Sequence, residues 1–303
     1  MTAPTTITFG GFDETEMRDV LEHACARVGL DCAGAVRLRG HTNAVVRLIT
    51  EPVVVKIARR GSDKVAVART ATFVRWLMTQ NFPTVPLHAV AEQPVVVDGH
   101  AVTFWSYLPQ PEHSVAASQL AGPLAELHRI ADPPVQLERL EVVEAIRRSL
   151  AATTCLPQQT LRFLTERVER LADELAQVVY TLPEGVVQGD PQHRNALHTE
   201  DGRAVLCDWD TIAYGQPEWD LVTVEIHCRR FGHGLEHYQQ FATAYGVDVA
   251  QWPGYRVLRD LRELRMITTN ARKATHALGT LAEVERRIAG LRCEDPELPW
   301  AIL

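Results

Sequence analysis

The chain has 303 residues, a formal net charge of −7 and a hydrophobic fraction of 46%. This length suffices for two hydrophobic cores. No apolar run approaches the roughly 18 residues of a membrane span, and the acidic balance is the opposite of the basic surface that nucleic acids select. We therefore expect neither a membrane nor a nucleic acid as a partner.

The first residues, Met-Thr-Ala-Pro-Thr-Thr, lack the basic and apolar regions of a signal peptide. The six cysteines show no paired spacing and lie mostly among apolar neighbours. We therefore expect a cytoplasmic location and reduced cysteines in the core. Residues 111–303 carry 28 acidic and 20 basic residues, a balance that suits a cationic ligand and suits plain solubility equally well.

The first third of the chain has the alternation and turn signals of a small sheet with flanking helices. Helices are predicted at 13–28, with Gly29 as the C-cap, and at 62–80. Strands are predicted at 34–39, 44–50, 53–58, 94–97 and 101–105, and the last two form a hairpin around Asp98-Gly99-His100.

After Pro109 and Pro111 the pattern becomes helical, and two further strands at 195–198 and 204–208 form a hairpin. Helices are predicted at 115–130, 137–151, 158–180, 217–230, 234–245, 252–276 and 280–291. The predicted fold is α+β, with a small N-terminal antiparallel-sheet lobe (1–108) and a larger, mainly helical C-terminal lobe (109–303).

Three polar residues, Asp190, Asn195 and Asp208, are placed at or after short apolar strands. Asp190 follows the apolar residues Val186-Val187, Asn195 comes five residues later, and Asp208 ends the next strand but one. Phosphoryl transfer needs a positioned hydroxyl and neutralised phosphate charge, and Mg²⁺ prefers such oxygen ligands. This pattern predicts a kinase-type site. The alternative is turn chemistry, because Gly-Asp-Pro and Asp-Gly are both common in turns.

Residues 186–222 resemble the aminoglycoside phosphotransferase family, the small-molecule branch of the protein-kinase-like fold. Its motifs are H-G-D-x-H-x-x-N, I-D-W-(D/E) and G-x-x-x-x-D-L. The resemblance implies a bilobal kinase-like fold with Asp190 as the catalytic base and Asp220 as a brace of the catalytic loop. It also implies that Asn195 and Asp208 are the metal ligands. The sequence departs from the family at two positions, since glutamines 188 and 192 stand where the family has histidine.

Lys56 is a lone cation in the apolar run 53–57. By resemblance it holds the α- and β-phosphates of the nucleotide, and the alternative is an edge-strand lysine that points at solvent. The preceding loop, residues 39–43, resembles the hairpin that covers the phosphates, with Thr42 and Asn43 as contacts.

The segment 104–109 resembles the interlobe linker, in which the backbone of Ser106 and Leu108 recognises adenine and Trp105 shapes the purine pocket. Kinases pair the strand lysine with a glutamate on the following helix, yet no glutamate occurs between residues 51 and 92, and Thr70 takes its place. We therefore expect another group, such as Asp208, to orient the lysine.

The acceptor is expected above Asp190, near the C-terminal helices. Candidate contacts, each of which also reads as an ordinary helix residue, are Glu225, Asp260, Glu263, Asn270 and Trp300. The mixed charges of Arg262, Glu263 and Arg265 fit surface pairing on one helix.

The resemblance implies an ATP- and Mg²⁺-dependent O-phosphotransferase that acts on a hydroxylated small molecule, with an aminoglycoside or another antibiotic as the leading acceptor, in resistance or self-protection. The alternatives are a metabolic kinase for a sugar, choline-like or amino-alcohol acceptor, and a nucleotide-binding pseudokinase. We expect a monomer or weak homodimer. A zinc site at His227, Cys228, His233 and His237 is a further alternative, but we expect no metal there because Cys-x2-Cys spacing is lacking.

Overall fold

The computed structural model describes residues 13–40, 43–274 and 279–303. It divides into two compact units. The first comprises Met1–Glu112 with Leu197–Asp210, and the second comprises His113–Ala196 with Thr211–Leu303. The functional division into a nucleotide-binding lobe (1–108) and an acceptor lobe (109–303) stays a prediction.

The first unit is built on a five-stranded antiparallel sheet, as the alternation predicted. Its strands are β1 (Val36–Arg39), β2 (Ala44–Arg47), β3 (Val53–Ile57), β4 (Val95–Val97) and β5 (His100–Ser106), in the order β1-β2-β3-β5-β4. Successive side chains of a strand point to opposite faces, so Val53, Val55 and Ile57 are buried while Lys56 lies on the other face. Helix α1 (Glu14–Val28) packs its apolar stripe on the buried face.

Two further elements complete this unit. Helix α2 (Lys64–Thr79) begins at Asp63, whose carboxylate accepts a hydrogen bond from the Val65 amide at 2.9 Å. Strands β7 (Ala196–His198) and β8 (Ala204–Leu206) form the predicted hairpin. Leu206 ties this hairpin to the first unit, because its amide donates to the Pro83 carbonyl at 2.9 Å and its carbonyl accepts from the Val85 amide at 2.9 Å.

The second unit is mainly helical. Its helices are α3 (Ala117–Leu127), α4 (Val142–Ala151), α5 (Gln158–Leu175), α6 (Glu218–Arg230), α7 (Leu235–Tyr245), α8 (Tyr255–Lys273) and α9 (Thr280–Arg292), and a two-stranded ribbon joins β6 (Gly185–Val187) to β9 (Ala213–Gly215). One hydrophobic core unites α4, α5, α8 and α9.

The predicted bounds of two helices in this unit are wrong, and one strand was missed. Helix α5 ends at Leu175 rather than at 180. Helix α4 begins at Val142 rather than 137, because the backbone before it pairs with β9 instead. The Tyr214 amide donates to the Glu138 carbonyl at 2.8 Å, and the Leu140 amide donates to the Tyr214 carbonyl at 2.9 Å. Strand β9 itself was not predicted, since three residues are too few to show a period.

The cysteines and the helices bear on two further expectations. All six cysteines are free. Cys25 and Cys228 are buried as expected, whereas Cys293 is exposed, so the expectation of core cysteines is wrong there. Across the described ranges, none of the helices has both the length and the apolar character that crossing a membrane requires.

Candidate active site

Lys56 is held by two carboxylates within the first unit. Its ammonium nitrogen lies 2.8 Å from Asp208 Oδ1 and 2.8 Å from Asp210 Oδ1. The lysine side chain is only 17% exposed, whereas those of Asp208 and Asp210 are 42% and 47% exposed. Burial alone would lower the pKa of Lys56, but the two carboxylates outweigh it and raise that pKa, so the lysine stays charged. The expected orienting role of Asp208 is therefore matched by a direct contact.

The backbone after β8 is shaped to present these two carboxylates. Asp208 has φ +57°, a left-handed conformation that is uncommon for residues other than glycine. The next residue, Trp209, is 1% exposed and donates from Nε1 to Thr84 Oγ1 at 2.9 Å. Its ring meets Phe73 and Phe82 edge-on at 5.8 and 5.9 Å. A buried tryptophan thus anchors the two flanking aspartates.

Asn43, Ser106 and Leu108, which are also predicted to contact the nucleotide, lie in the same unit. Asn43 donates from Nδ2 to Asp210 Oδ2 at 2.8 Å, which joins the loop before β2 to the aspartate pair. Thr42 lies outside the described residues. Ser106 ends β5, and its amide donates to the Pro86 carbonyl at 2.9 Å. Leu108 follows two residues later, and its carbonyl accepts from Gln110 Nε2 at 3.0 Å.

Asp190 lies in the second unit, where β6 ends in a tight turn. Gly189 has φ +85°, and a Cβ there would lie 2.4 Å from the Thr211 carbonyl oxygen. Only glycine therefore fits this position. The Asp190 amide donates to Gln188 Oε1 at 2.7 Å, so the glutamine that replaces the family's histidine holds the loop through its side-chain oxygen.

Asp220 braces this turn from the start of α6, as the resemblance implied. Its carboxylate is fully buried and accepts the amides of Gln188 at 2.7 Å and Gly189 at 2.9 Å. His128 Nε2 lies 3.1 Å from the same carboxylate. Two backbone donors that the turn leaves unpaired are satisfied in this way.

Three side chains surround the Asp190 carboxylate. Gln192 donates from Nε2 to Oδ2 at 2.9 Å, and Arg262 of α8 forms an ion pair with Oδ1. Asn195 donates from Nδ2 to the Asp190 carbonyl at 2.9 Å, which directs its amide oxygen elsewhere. The structure thus brings Asp190 and Asn195 together, while Asp208 belongs to the other unit. No sequence signal pointed to Arg262, which is 72 residues from Asp190.

The expectation of surface pairing on α8 is wrong. Arg262 and Glu263 are 6% and 2% exposed. The acids proposed as acceptor contacts already have arginine partners: Glu225 pairs with Arg229 at 2.7 Å, Glu263 with Arg230 at 2.8 Å, and Asp260 with Arg259 at 2.7 Å and Arg167 at 3.2 Å. Asn270 is half-buried. Trp300 is buried, with the guanidinium of Arg287 4.4 Å from its ring centre.

Three histidines meet beside the turn that carries Asp190. The ring nitrogens of His193, His233 and His237 lie within 4.8 Å of one another, whereas His227 stacks on Phe231 instead. The three rings are nearly parallel, at 14° to 19° to one another, and the His193 and His233 centroids are 4.0 Å apart. The His193 and His237 Nε2 atoms also lie 3.0 Å apart, within hydrogen-bond distance, so the trio is a stack in which two rings share a nitrogen contact.

This histidine stack predicts acid sensitivity. Burial, followed by the neighbouring His233 and His237, lowers the pKa of His193 to about 3. In the unfolded chain the same imidazole titrates near 6.5. Between these values the unfolded state binds more protons, so the free energy of unfolding falls as pH falls from about 6.5 towards 3.

We expect His193→Gln to flatten this pH dependence, by about 2 kcal/mol between pH 7 and pH 5. Urea unfolding at pH 7, 6 and 5 measures it. The control is His23→Gln, since that side chain is 66% exposed. Equal slopes for the native chain and the His193 variant would contradict the prediction.

Comparisons with known proteins place this geometry in context. A family model described as the phosphotransferase enzyme family matches residues 35–261, which is more than half of the chain. No curated protein matches the sequence. Among solved structures, the amicoumacin kinase hAmiN in complex with AMP-PNP, Ca²⁺ and Ami has a TM-score of 0.70 at 15% identity, covering 96% of both chains.

Two further solved structures share the architecture. The aminoglycoside phosphotransferase APH(3'')-Id from Streptomyces rimosus has a TM-score of 0.59 at 22% identity, covering 84% of this chain and 99% of that one. The choline kinase LicA from Streptococcus pneumoniae has a TM-score of 0.66 at 14% identity, covering 90% and 99%. At these identities the likeness shows the fold, and the predicted α+β, protein-kinase-like class is confirmed.

Proposed function

This chain belongs to the phosphotransferase enzyme family, and we propose that it is an ATP- and Mg²⁺-dependent O-phosphotransferase for a hydroxyl of a small molecule. Asp190 positions that hydroxyl and accepts its proton. Lys56 holds the α- and β-phosphates of ATP. The loop residues Thr42 and Asn43 contact the phosphates, and the backbone of Ser106 and Leu108 recognises the adenine.

In the proposed reaction, the acceptor oxygen attacks the γ-phosphorus of ATP while its proton passes to Asp190. The bond from the γ-phosphorus to the β,γ-bridging oxygen breaks, and that oxygen leaves with the bonding electrons as part of ADP. The γ-phosphoryl group ends on the acceptor as a phosphate ester. The protein therefore contributes position and charge rather than a covalent intermediate.

Each unit contains oxygen donors of the kind that Mg²⁺ selects. Asp208 and Asp210 present partly exposed carboxylates, and Asn195 keeps its amide oxygen directed away from the Asp190 carbonyl, which takes its nitrogen. These are the hard oxygen ligands that Mg²⁺ selects. We assign Asn195 and Asp208 as its ligands, and bound Mg²⁺ supplies neutralisation of the phosphate charge.

The observation that carries the proposal is the contact of Lys56 with Asp208 and Asp210. A buried ammonium is costly unless it is paired, and here it is paired with carboxylates that stay half exposed. Such an arrangement suits phosphates and a divalent cation as further partners. AMP-PNP and Ca²⁺ in the hAmiN complex and ADP in a spectinomycin phosphotransferase complex with a TM-score of 0.66 support a nucleotide as the donor.

For the acceptor we propose classes of compound. An aminoglycoside or another antibiotic, in resistance or self-protection, follows from similar structures such as APH(3'')-Id. A metabolic kinase is the second candidate, and the similarity to a choline kinase favours it. The missing helix glutamate and Gln188 favour the pseudokinase alternative, but Lys56 has two acidic partners without that glutamate, and Gln188 accepts a hydrogen bond from the Asp190 amide.

The test is mass spectrometry of a mixed panel incubated with the protein, ATP and Mg²⁺. The panel contains aminoglycosides, peptide and nucleoside antibiotics, sugars, amino alcohols, choline and hydroxy acids. We expect one class of compound to gain one phosphoryl group. The control is Lys56→Met, in which that gain should be lost because the α- and β-phosphates lose their cation. Failure of the native chain to bind ATP in a calorimetric titration would refute the proposed function.

A further inference from the structure

Arg262 lies against the carboxylate that is proposed to accept the hydroxyl proton. Its side chain is 8% exposed, and it forms an ion pair with Asp190 Oδ1. The guanidinium carbon lies 5.4 Å from the ring centre of Trp219. Its Nε is buried and has no hydrogen-bond partner among the described residues. The arginine thus keeps an unused donor beside the reacting group.

Arg265 lies three residues further along α8 and adds a second positive charge. It donates from Nη1 to the Ala145 carbonyl, Ser149 Oγ and Thr269 Oγ1, each at 3.2 Å. All three acceptors are neutral oxygens, and no carboxylate pairs with it within the described residues. Burial, and after it Arg262, Arg272 and Arg148, lowers the pKa of Arg265 to about 10, against the opposing effect of Asp190. Arg265 therefore adds, on the same helix as Arg262, a positive charge that no carboxylate of the described residues pairs with.

The nearby acids do not balance this positive charge. Glu225 and Glu263 are bound by Arg229 at 2.7 and 3.0 Å, and Asp260 is bound by Arg259 at 2.7 Å. All three residues are at most 5% exposed. A polycationic acceptor would meet arginines beside Asp190, and these acids are already engaged. The local positive charge therefore disfavours a cationic acceptor, the class that the acidic balance of residues 111–303 had suited.

The ion pair between Arg262 and Asp190 competes with the hydrogen bond that the acceptor hydroxyl must make with the Asp190 carboxylate. A base must make a hydrogen bond with the hydroxyl that it deprotonates, and the Arg262 guanidinium and Gln192 Nε2 each already take one acceptor position of the carboxylate, on Oδ1 and Oδ2 respectively. A carboxylate or phosphate on the ligand would give the guanidinium a substitute partner, with the two-pronged geometry that arginine favours. Asp190 Oδ1 would then be released to the hydroxyl.

We propose that Arg262 and Arg265 form an oxyanion subsite beside Asp190, so that the acceptor is a hydroxylated small molecule that also carries a carboxylate or phosphate group. This inference rests on the proposed function for the role of Asp190. It narrows the acceptor to hydroxy acids and phosphorylated alcohols. It also gives Arg262 two partners in turn, Asp190 in the free enzyme and the ligand oxyanion in the complex.

The test uses pairs of compounds that differ in one anionic group: glycerol with glycerate and with glycerol phosphate, serinol with serine, and glucose with gluconate. Binding to the native chain is followed by saturation-transfer NMR without nucleotide, and transfer is followed by ADP release with ATP and Mg²⁺. We expect the anionic member of at least one pair to bind and react with a KM about 10- to 100-fold lower than its neutral partner.

Three variants assign the effect to the subsite. Arg262→Met should raise KM for the anionic acceptor about 10- to 100-fold and abolish the preference, with KM for ATP unchanged. Arg262→Lys should give a KM for the anionic acceptor between those of the native chain and Arg262→Met, because lysine keeps the charge but loses the planar, two-pronged guanidinium. The matched control is Arg170→Met, since Arg170 is 56% exposed and its nearest carboxylate, that of Glu174, is 3.7 Å away.

The outcomes separate the two proposals. Equal or better binding of neutral members by the native chain overturns the subsite, as does an Arg262→Met effect on kcat alone, shared by both members of a pair. Transfer to a cationic acceptor alone would overturn the subsite and leave the phosphotransferase function standing. Arginine-dependent binding of the anionic members without any transfer would support the subsite and count against the function.

Discussion

Replacing Asp190 with asparagine should lower the turnover number about 10²- to 10⁴-fold, the range that a positioned general base contributes. The amide keeps the shape of the carboxylate and can accept from either Gln192 or Arg262, but it does not accept the hydroxyl proton. Nucleotide binding should be retained, because Lys56 and Asp208 lie in the other unit and are unchanged. Steady-state kinetics on the acceptor found by the panel, with calorimetric titration of ATP, measures both quantities.

The control for this substitution is Asp201→Asn. Asp201 is 56% exposed in the turn between β7 and β8 and pairs with Arg203, so its loss should leave turnover unchanged. Turnover of Asp190→Asn within about threefold of the native value would remove Asp190 from the role of base. A parallel loss of ATP affinity would show that the substitution disturbs more than the acceptor side.

Replacing Asp220 with alanine should cost about 3–5 kcal/mol of unfolding free energy, because it leaves buried donors without a partner. The carboxylate is 0% exposed and accepts hydrogen bonds from the amides of Gln188 and Gly189, and it lies against His128 as well. Urea unfolding at pH 7 measures the loss. Turnover should also fall, because the turn that presents Asp190 loses its anchor.

Asp220→Asn is the informative companion. The asparagine oxygen can accept a hydrogen bond from one of the two backbone amides, but its NH₂ group opposes the other. We therefore expect an unfolding free energy between those of Asp220→Ala and the native chain. The exposed Asp201→Asn serves again as the neutral reference. A loss below about 1 kcal/mol for Asp220→Ala would mean that water or a rearranged turn satisfies these amides.

Local patterns in the sequence were enough to predict most elements of the fold. The alternation of Val53, Val55 and Ile57 reports which face of β3 is buried. Asp63 and Gly29 mark helix ends because their capping chemistry depends on neighbouring residues alone. Strand β9 escaped prediction because its pairing with β6 is nonlocal and its three residues carry no period.

The candidate site was predicted in part, for a related reason. Asp190, Asn195 and Asp208 belong to one collinear motif, so their spacing along the chain makes them visible. Asp210 belongs to the same motif, yet its contact with Lys56 at 2.8 Å was not predicted. The roles of these residues stay predictions until the kinetics are measured.

What the sequence alone determined is therefore the local part of this protein: its helices and strands, their caps, and the motif that marks a phosphotransferase. Only the tertiary structure decided which charges meet. Arg262 reaches Asp190 across 72 positions, and Lys56 meets Asp210 in addition to the expected Asp208. A period in the sequence reports burial within one element, whereas the pairing of two charges depends on the packing of several elements. The contacts of Arg262 with Asp190 and of Lys56 with Asp210 therefore could not be read from either segment taken alone.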